Sequence, residues 1–242
     1  MTRITTLTST NLQGFNTNRG ILREVTQGTN IFLPSGVTTS SSIRKFNKTS
    51  LHFNGDISAF IPYYSLNPLQ KVGDGTTIEC WMYITEPTRQ PWVLSSESYA
   101  EGQFLTIFPG TETSISWYGN QTDGSGGTIN PSPAVTNMTN RWVHVVLQCA
   151  TYVVGQPTYV QLFVDGSLIV NASVGLLYSQ TVIKNYFQIG GFIKYASPND
   201  MFRGYLDDIR ISSGMRYPNG GYTVPTSKLT VDDTTLALFQ TA

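Results

Sequence analysis

The clearest pattern along the chain is an alternation of apolar and polar positions, strongest between residues 141 and 171. Over residues 141–149, Val143, Val145, Leu147 and Cys149 alternate with Trp142, His144, Val146 and Gln148, the period of two that puts successive side chains on opposite faces of a strand. Val160, Leu162 and Val164 alternate in the same way with Tyr159, Gln161 and Phe163, and the run stops at Asp165-Gly166, a dipeptide that tolerates the positive φ angles of a two-residue hairpin turn. Residues 167–171 then run back. With Asp165-Gly166 as the turn, the expected pairs are Val164 with Ser167, Phe163 with Leu168 and Leu162 with Ile169.

The same period recurs elsewhere. Over residues 77–85, Ile78, Cys80, Met82 and Ile84 form an apolar face, and Thr77, Glu79, Trp81 and Tyr83 a mixed one. Shorter strands are expected over 50–54, 59–62, 92–95, 103–108, 114–118, 186–190, 202–212 and 234–240. In the 202–212 strand, strict alternation places Tyr205, Asp207, Ile209 and Ile211 on one face, and Leu206, Asp208, Arg210 and Ser212 on the other. Residues 119–140, with Gly124, Gly126, Gly127, Pro131 and Pro133, read as a surface loop. No stretch sustains a helical period, so the pattern predicts an all-β protein, an antiparallel β-sandwich.

Composition narrows the picture. The 242 residues suit one large β unit. Charged residues make up 12% of the chain, about half the usual fraction, and Thr, Ser, Asn and Gly take their place. The net charge is zero, and the small Arg44, Lys45, Lys48 group is too slight to grip a phosphate backbone, so no nucleic acid partner is expected. No apolar run approaches the length needed to cross a bilayer, and the opening MTRITTLTSTNLQG lacks the apolar core of a secretion signal. The expectation is synthesis in a cytoplasm with no membrane partner. Cys80 and Cys149 fall in the apolar phase of their strands and are expected as buried free thiols. Residues 1–48 differ from the rest, being rich in Thr, Ser and Asn with scattered apolar positions. They read as an extended N-terminal arm laid against its own sandwich or a neighbouring subunit, with residues 49–242 as the sandwich.

Six pieces carry a resemblance: SLHFNG at Ser50, TIECWMYI at Thr77, RWVHVVL at Arg141, VQLFVDGSLI at Val160, FQIGGF at Phe187, and GYLDDIRISSGMRY at Gly204 followed by YTVP at Tyr222. In this order the chain resembles the laminin-G-like jelly-roll domains of the concanavalin A-like lectin and glucanase superfamily, over about residues 50–240. The resemblance implies two packed, curved antiparallel sheets that bind glycans or proteins, in a family frequent among tailed-phage virion proteins. On that footing the first expectation is a non-enzymatic virion component, a capsid decoration or tail-associated subunit. It would be present in many copies or as a homo-oligomer, attached to other virion proteins through the arm and sandwich surface. The alternative is a glycan-binding adhesin that recognises host surface glycans, with calcium as its candidate cofactor.

Candidate chemistry is sparse. The glucanase branch carries an E-x-D-x-x-E strand whose carboxylates share a face; no such motif occurs here, and Glu97 and Glu101 have the wrong spacing. Asp207 and Asp208 are adjacent, hence expected on opposite faces. His52 and His144 read as half-buried imidazoles, each with a backbone or water partner. With no His pair, no CxxC and no Gly-rich loop before a helix, zinc and nucleotide sites are disfavoured. No catalytic residue is expected. For calcium, which the resemblance brings into play, the candidate ligands are Asp123, Asp200, Asp207 and Asp208. Asp165 is assigned to its turn and Asp232-Asp233 to the approach to the last strand. Trp92, Tyr99, Trp117, Tyr118 and Tyr195 are the candidate glycan or partner contacts, because Tyr and Trp combine a ring face with a polar edge. Each of these residues also fits a structural role in the interior or at an interface.

Overall fold

The computed structural model describes residues 21–26, 29–33, 36–56, 61–63, 75–86, 92–95, 104–108, 114–118, 138–150, 158–174, 187–190 and 201–241. Among these residues there are fifteen strands and no helix: β1 (Ile21–Glu24), β2 (Thr29–Phe32), β3 (Val37–Ser40), β4 (Ser50–Asn54), β5 (Ile61–Tyr63), β6 (Thr76–Ile84), β7 (Trp92–Ser95), β8 (Phe104–Phe108), β9 (Ser114–Tyr118), β10 (Trp142–Cys149), β11 (Thr158–Val164), β12 (Ser167–Val174), β13 (Phe187–Ile189), β14 (Arg203–Ser213) and β15 (Thr235–Thr241). They form two antiparallel sheets. The larger runs β12-β11-β10-β6-β14-β15-β1-β2, with β4 beside β14 and β3 beside β4; the smaller runs β5-β13-β7-β8-β9. This is the all-β, concanavalin A-like architecture that the alternation and the resemblance predict.

The alternating apolar residues meet in rows across the strands. Leu162, Leu147, Ile78, Ile211 and Ala237 stand in register on five successive strands, and all are buried. Ile189 of the smaller sheet closes on the same core, beside Phe53, Phe202 and Leu206. Each fully buried Leu, Ile or Phe among them contributes about 1.5–3 kcal/mol relative to exposure. Cys80 and Cys149 lie in this core as free thiols, and burial pushes both up to about 12.

Four strand pairs depart from strict register, β11–β12, β14–β6, β14–β15 and β7–β8, and in two of them the inserted residue changes a pairing or face that the sequence pattern predicts. In the hairpin, Asp165 (φ 48°) and Gly166 (φ 81°) form the expected turn, and Val164–Ser167 and Phe163–Leu168 pair as expected. Leu162, however, faces Val170 and not Ile169. The extra residue lets both Ile169 and Val170 pack against the core. In β14, Asp207 faces Trp81 while Arg210 faces Glu79, so one residue is inserted, and Asp208 adopts a φ of 47°. The phase flips there. Leu206 lies in the core before the bulge and Ile209 and Ile211 after it, so the face that the sequence pattern assigned to Tyr205, Asp207, Ile209 and Ile211 does not exist as one set.

The described part of residues 1–48 is laid on the sandwich itself: β1 pairs with β15, β3 with β4, and Leu33 and Val37 are buried in the common core. Residues 1–20 lie outside the described residues.

Two glycines separate backbone strain from crowding. Gly190 (φ 85°) lies where a Cβ would sit 2.0 Å from Phe53 Cε1, whereas Gly214 (φ 73°) has no atom within 4 Å of that position. Gly214→Ala is expected to lose only the left-handed backbone penalty of about 1–2 kcal/mol. Gly190→Ala must also displace Phe53 from the core and should lower the urea midpoint clearly further. Equal midpoints for the two variants would contradict this packing.

Candidate functional site

The face of the larger sheet turned away from the core carries most of the polar chemistry. Register stacks it in four rows: Gln148–Thr77–Ser212, Val146–Glu79–Arg210, His144–Trp81–Asp207, and Trp142–Tyr83–Tyr205–His52–Thr38. The first three rows are almost entirely buried although they stand outside the core cluster. Two segments cover them.

The first cover is the connection between β14 and β15, residues 214–234. Beneath it Glu79 is fully buried and meets Arg210, whose Nε donates to Oε1 at 2.8 Å with Nη2 2.6 Å away, while Tyr217 Oη donates to Oε2 at 2.9 Å. Arg216 Nε lies 3.6 Å from the same carboxylate, and Arg216 also pairs with Asp232, which holds the Asp232 carboxyl far below the usual carboxylate range. Gln148 seals the end of the strap: its Nε2 donates to Tyr217 O and Gln161 Oε1, and its Oε1 accepts from Tyr217 N. Tyr217 stacks on Tyr222 at 4.2 Å, and both lie edge-on to Phe163.

His144 is fully buried here, not half-buried, and side chains surround its ring: Nδ1 lies 2.6 Å from Tyr222 Oη and Nε2 3.5 Å from Glu79 Oε2. Burial, above all, holds its pKa down at about 3, so the ring is neutral near pH 7. We assign its proton to Nε2, facing the carboxylate, with Nδ1 accepting from Tyr222. Asp165 keeps its turn role and adds an anchor, accepting from His144 N at 2.9 Å.

The second cover is the loop at residues 41–49. Lys45 N and Phe46 N both donate to Asp207 Oδ2, and Asn47 Nδ2 donates to Asp207 Oδ1 at 2.6 Å and to Asp208 Oδ1 at 2.9 Å. Asp208 also accepts from Gln240 Nε2 and Leu229 N. The expectation that Asp207 and Asp208 point to opposite faces is therefore corrected: the left-handed backbone at Asp208 turns both carboxylates onto one asparagine. Their oxygens serve amide donors, and no group of three or more His, Cys, Asp or Glu able to hold a metal occurs among the described residues. The pair is a clamp that fastens the loop and residue 229 to β14. Desolvation raises the Asp208 carboxyl above its usual range. Lys45 Nζ sits 3.8 Å from the Trp81 ring, and Phe46 meets that ring edge-on at 5.6 Å.

The fourth row stays partly open. His52 and Tyr205 stack at 4.6 Å, Tyr205 and Tyr83 meet edge-to-face at 5.7 Å, Tyr83 and Trp142 do so at 5.7 Å, and Thr38 Oγ1 lies 3.1 Å from His52 Nδ1. These residues come from five strands spread between residues 37 and 213, so only the register reveals them as a set. Their signal in the sequence is the mixed-face position of each, which by itself names no neighbour. The aromatic candidates chosen from sequence lie elsewhere: Trp92 on β7, paired with Thr106, and Trp117 and Tyr118 on β9, paired with Leu105 and Phe104. Tyr99, Tyr195, Asp123 and Asp200 lie outside the described residues.

Residues 61–219 match a laminin-G family model, described as the concanavalin A-like lectin/glucanases superfamily. The chain belongs to that superfamily. Among solved structures it is similar to domain 4 of AbnA, a GH43 extracellular arabinanase from Geobacillus stearothermophilus, with 13% identity over 74% of this chain and 75% of that one and a TM-score of 0.50. It is also similar to the binding domain of botulinum neurotoxin serotype D, with 14% identity over 84% and 49% and a TM-score of 0.52. A third is the NanB sialidase of Streptococcus pneumoniae, in its K499G mutant, with 12% identity over 74% and 28% and a TM-score of 0.56. At these identities the likeness is one of fold, and this superfamily member spans about half of the neurotoxin domain and under a third of the sialidase. No curated protein matches it.

The neutral imidazole sets an acid limit on the fold. The folded-state pKa of His144, about 3, lies below the ordinary 6.5, so the unfolded chain takes up the proton first as pH falls. This contribution to stability is complete above about pH 6.5 and is lost as pH falls toward about 3, by up to roughly 1.4 kcal/mol per pH unit. Urea unfolding at stepped pH should show that slope in the wild type and a flatter one in His144→Gln. Parallel slopes would contradict the assignment.

Proposed function

We propose that this superfamily member is a non-catalytic glycan-recognition module. One observation carries the reading: among the described residues, the acidic side chains on the covered rows of the outer face are sealed and committed to protein donors, with Glu79 0%, Asp207 2% and Asp208 1% exposed, while the row left partly open beside them is aromatic and neutral. Glycoside hydrolysis needs two carboxyl groups about 5–9.5 Å apart facing one sugar from a solvent-filled cleft. Recognition needs only ring faces and a few hydrogen-bonding groups. Support comes from the superfamily itself and from domain 4 of the arabinanase, which was solved in complex with arabinotriose. The weakly charged composition suits a sugar ligand better than a phosphate or an acidic peptide. Candidate contacts are Trp92, Tyr99, Trp117, Tyr118 and Tyr195, and Asp207 and Asp208 act as a clamp, so binding does not call on calcium at that pair.

On a glycan array the protein should bind with and without calcium, and Trp117→Ala or Tyr118→Ala should weaken binding by about tenfold, the equivalent of roughly 1.4 kcal/mol. A blank array in both conditions, or release of sugar from a polysaccharide, would overturn the reading.

A second reading concerns the setting, and it is compatible with the first: a module carried in many copies on a tailed-phage virion. It is supported by the Thr- and Asn-rich residues 1–20 and by β2, which ends the larger sheet with one side unpaired among the described residues, an edge that a strand of a neighbouring subunit can extend. Deleting residues 1–20 should abolish particle attachment or self-association in light scattering. Unchanged assembly would sink the virion setting and leave the glycan reading standing.

A further inference from the structure

A row of the outer face that, among the described residues, neither cover reaches is Trp142, Tyr83, Tyr205, His52 and Thr38, in register across β10, β6, β14, β4 and β3. All five side chains are partly exposed. A bland account exists, since cross-strand aromatic pairs stabilise sheets by themselves. That account explains neighbouring pairs; it does not explain why an uninterrupted aromatic line of four rings stands where the face is left partly open. Three features point to a ligand and to its chemistry.

Each ring carries a polar atom at its edge: two phenol hydroxyls, an indole N–H and an imidazole, with the Thr38 hydroxyl at the end of the line. The inter-ring angles of 21°, 84° and 68° mean that ring faces and ring edges both occur along it. A partner must therefore offer apolar patches and hydroxyl-type hydrogen bonds in alternation.

The row is also free of net charge. Burial lowers the pKa of His52, which keeps it neutral near pH 7. The flanking guanidinium groups are engaged, Arg141 with Asp165 and Arg203 with Glu86, each at 2.7 Å. Lys45 is spent on Trp81. Among the described residues, the guanidinium groups beside the row are paired, which favours a neutral partner over a sulfate, a carboxylate or a phosphate.

Finally, the row is narrow. From His52 to Trp142 it crosses three strand spacings, about 14 Å, and five partly buried side chains cannot furnish the roughly 800 Å² per partner of a stable protein interface. A short chain laid across the strands fits it; a protein surface does not.

We propose that this row is a binding site for a neutral oligosaccharide, which lies across the strands and stacks on Tyr205, Tyr83 and Trp142. The proposal rests on the glycan-recognition reading and names a second site, in addition to the contacts Trp92, Trp117 and Tyr118 on the smaller sheet.

The experiment takes the full chain and the best neutral glycan from the array, and measures affinity by calorimetry for the wild type, Tyr205→Ala, Trp142→Phe and Trp117→Ala, with unfolding midpoints to show that each is folded. About a tenfold loss is expected for Tyr205→Ala, equivalent to roughly 1.4 kcal/mol, and a smaller loss for Trp142→Phe. Because Tyr205→Ala removes a sheet contact as well, a second measurement uses the 5-fluorotryptophan-labelled wild type. Its Trp142 resonance, assigned from Trp142→Phe, should shift on titration with the glycan. Binding with unchanged affinity in both row variants and a shift confined to Trp92 or Trp117 would overturn this site while sparing the glycan reading. Binding restricted to sialylated or sulfated glycans would overturn the neutral ligand class, and no glycan binding at all would remove both readings.

Discussion

One inserted residue in β14 governs how the larger sheet uses its two faces. Opposite β6, the step from Asp207 to Arg210 covers the span of two residues on the partner strand, and Asp208 takes a left-handed backbone to absorb the difference. Before that point β14 sends Leu206 into the core; after it, Ile209 and Ile211. Without the insertion, Arg210 would enter the apolar core and the isoleucines would face outward, because a slip of one residue exchanges the faces of a strand. The insertion also brings two carboxylates to Asn47, and so fastens the loop that covers Trp81.

A second constraint follows from the first. With Arg210 directed outward beside Glu79, the outer face holds an ion pair that cannot be left half-satisfied under a cover, since a buried charge without its partners costs several kcal/mol. The connection at 214–234 meets that demand by supplying Tyr217, Arg216 and Asp232, and it seals His144 against Tyr222. Several of the chain's few charged groups are thus spent indoors. The row of Trp142, Tyr83, Tyr205 and His52 that remains partly open carries no charged side chain.

Much of the fold was legible in the residues. The two-residue period at Ile78–Ile84 and Val143–Cys149, the Asp165-Gly166 turn and the burial of both cysteines all reappear in the structure, because one-sided burial and positive φ leave direct marks on residue type. The site was far less legible. Tyr83, Trp142, Tyr205 and His52 are separated by up to 153 positions in the numbering, and each looks like an ordinary mixed-face residue until the strands are set side by side. The strand of residues 202–212 misled for a different reason. A bulge adds a residue without adding any polarity of its own, so alternation across Asp207-Asp208 was read straight through.

The residues alone therefore determined the class: alternating strands, a fixed hairpin turn and an apolar set large enough for one sandwich. These follow from local rules that each residue carries with it. Tertiary structure alone decided which strands neighbour one another, where the bulges fall, that His144 is sealed and neutral, and that four rings and a hydroxyl line up on one partly open row. Those outcomes depend on pairing between distant segments, and the free energy that selects a pairing belongs to the assembled sheet, not to any one strand within it.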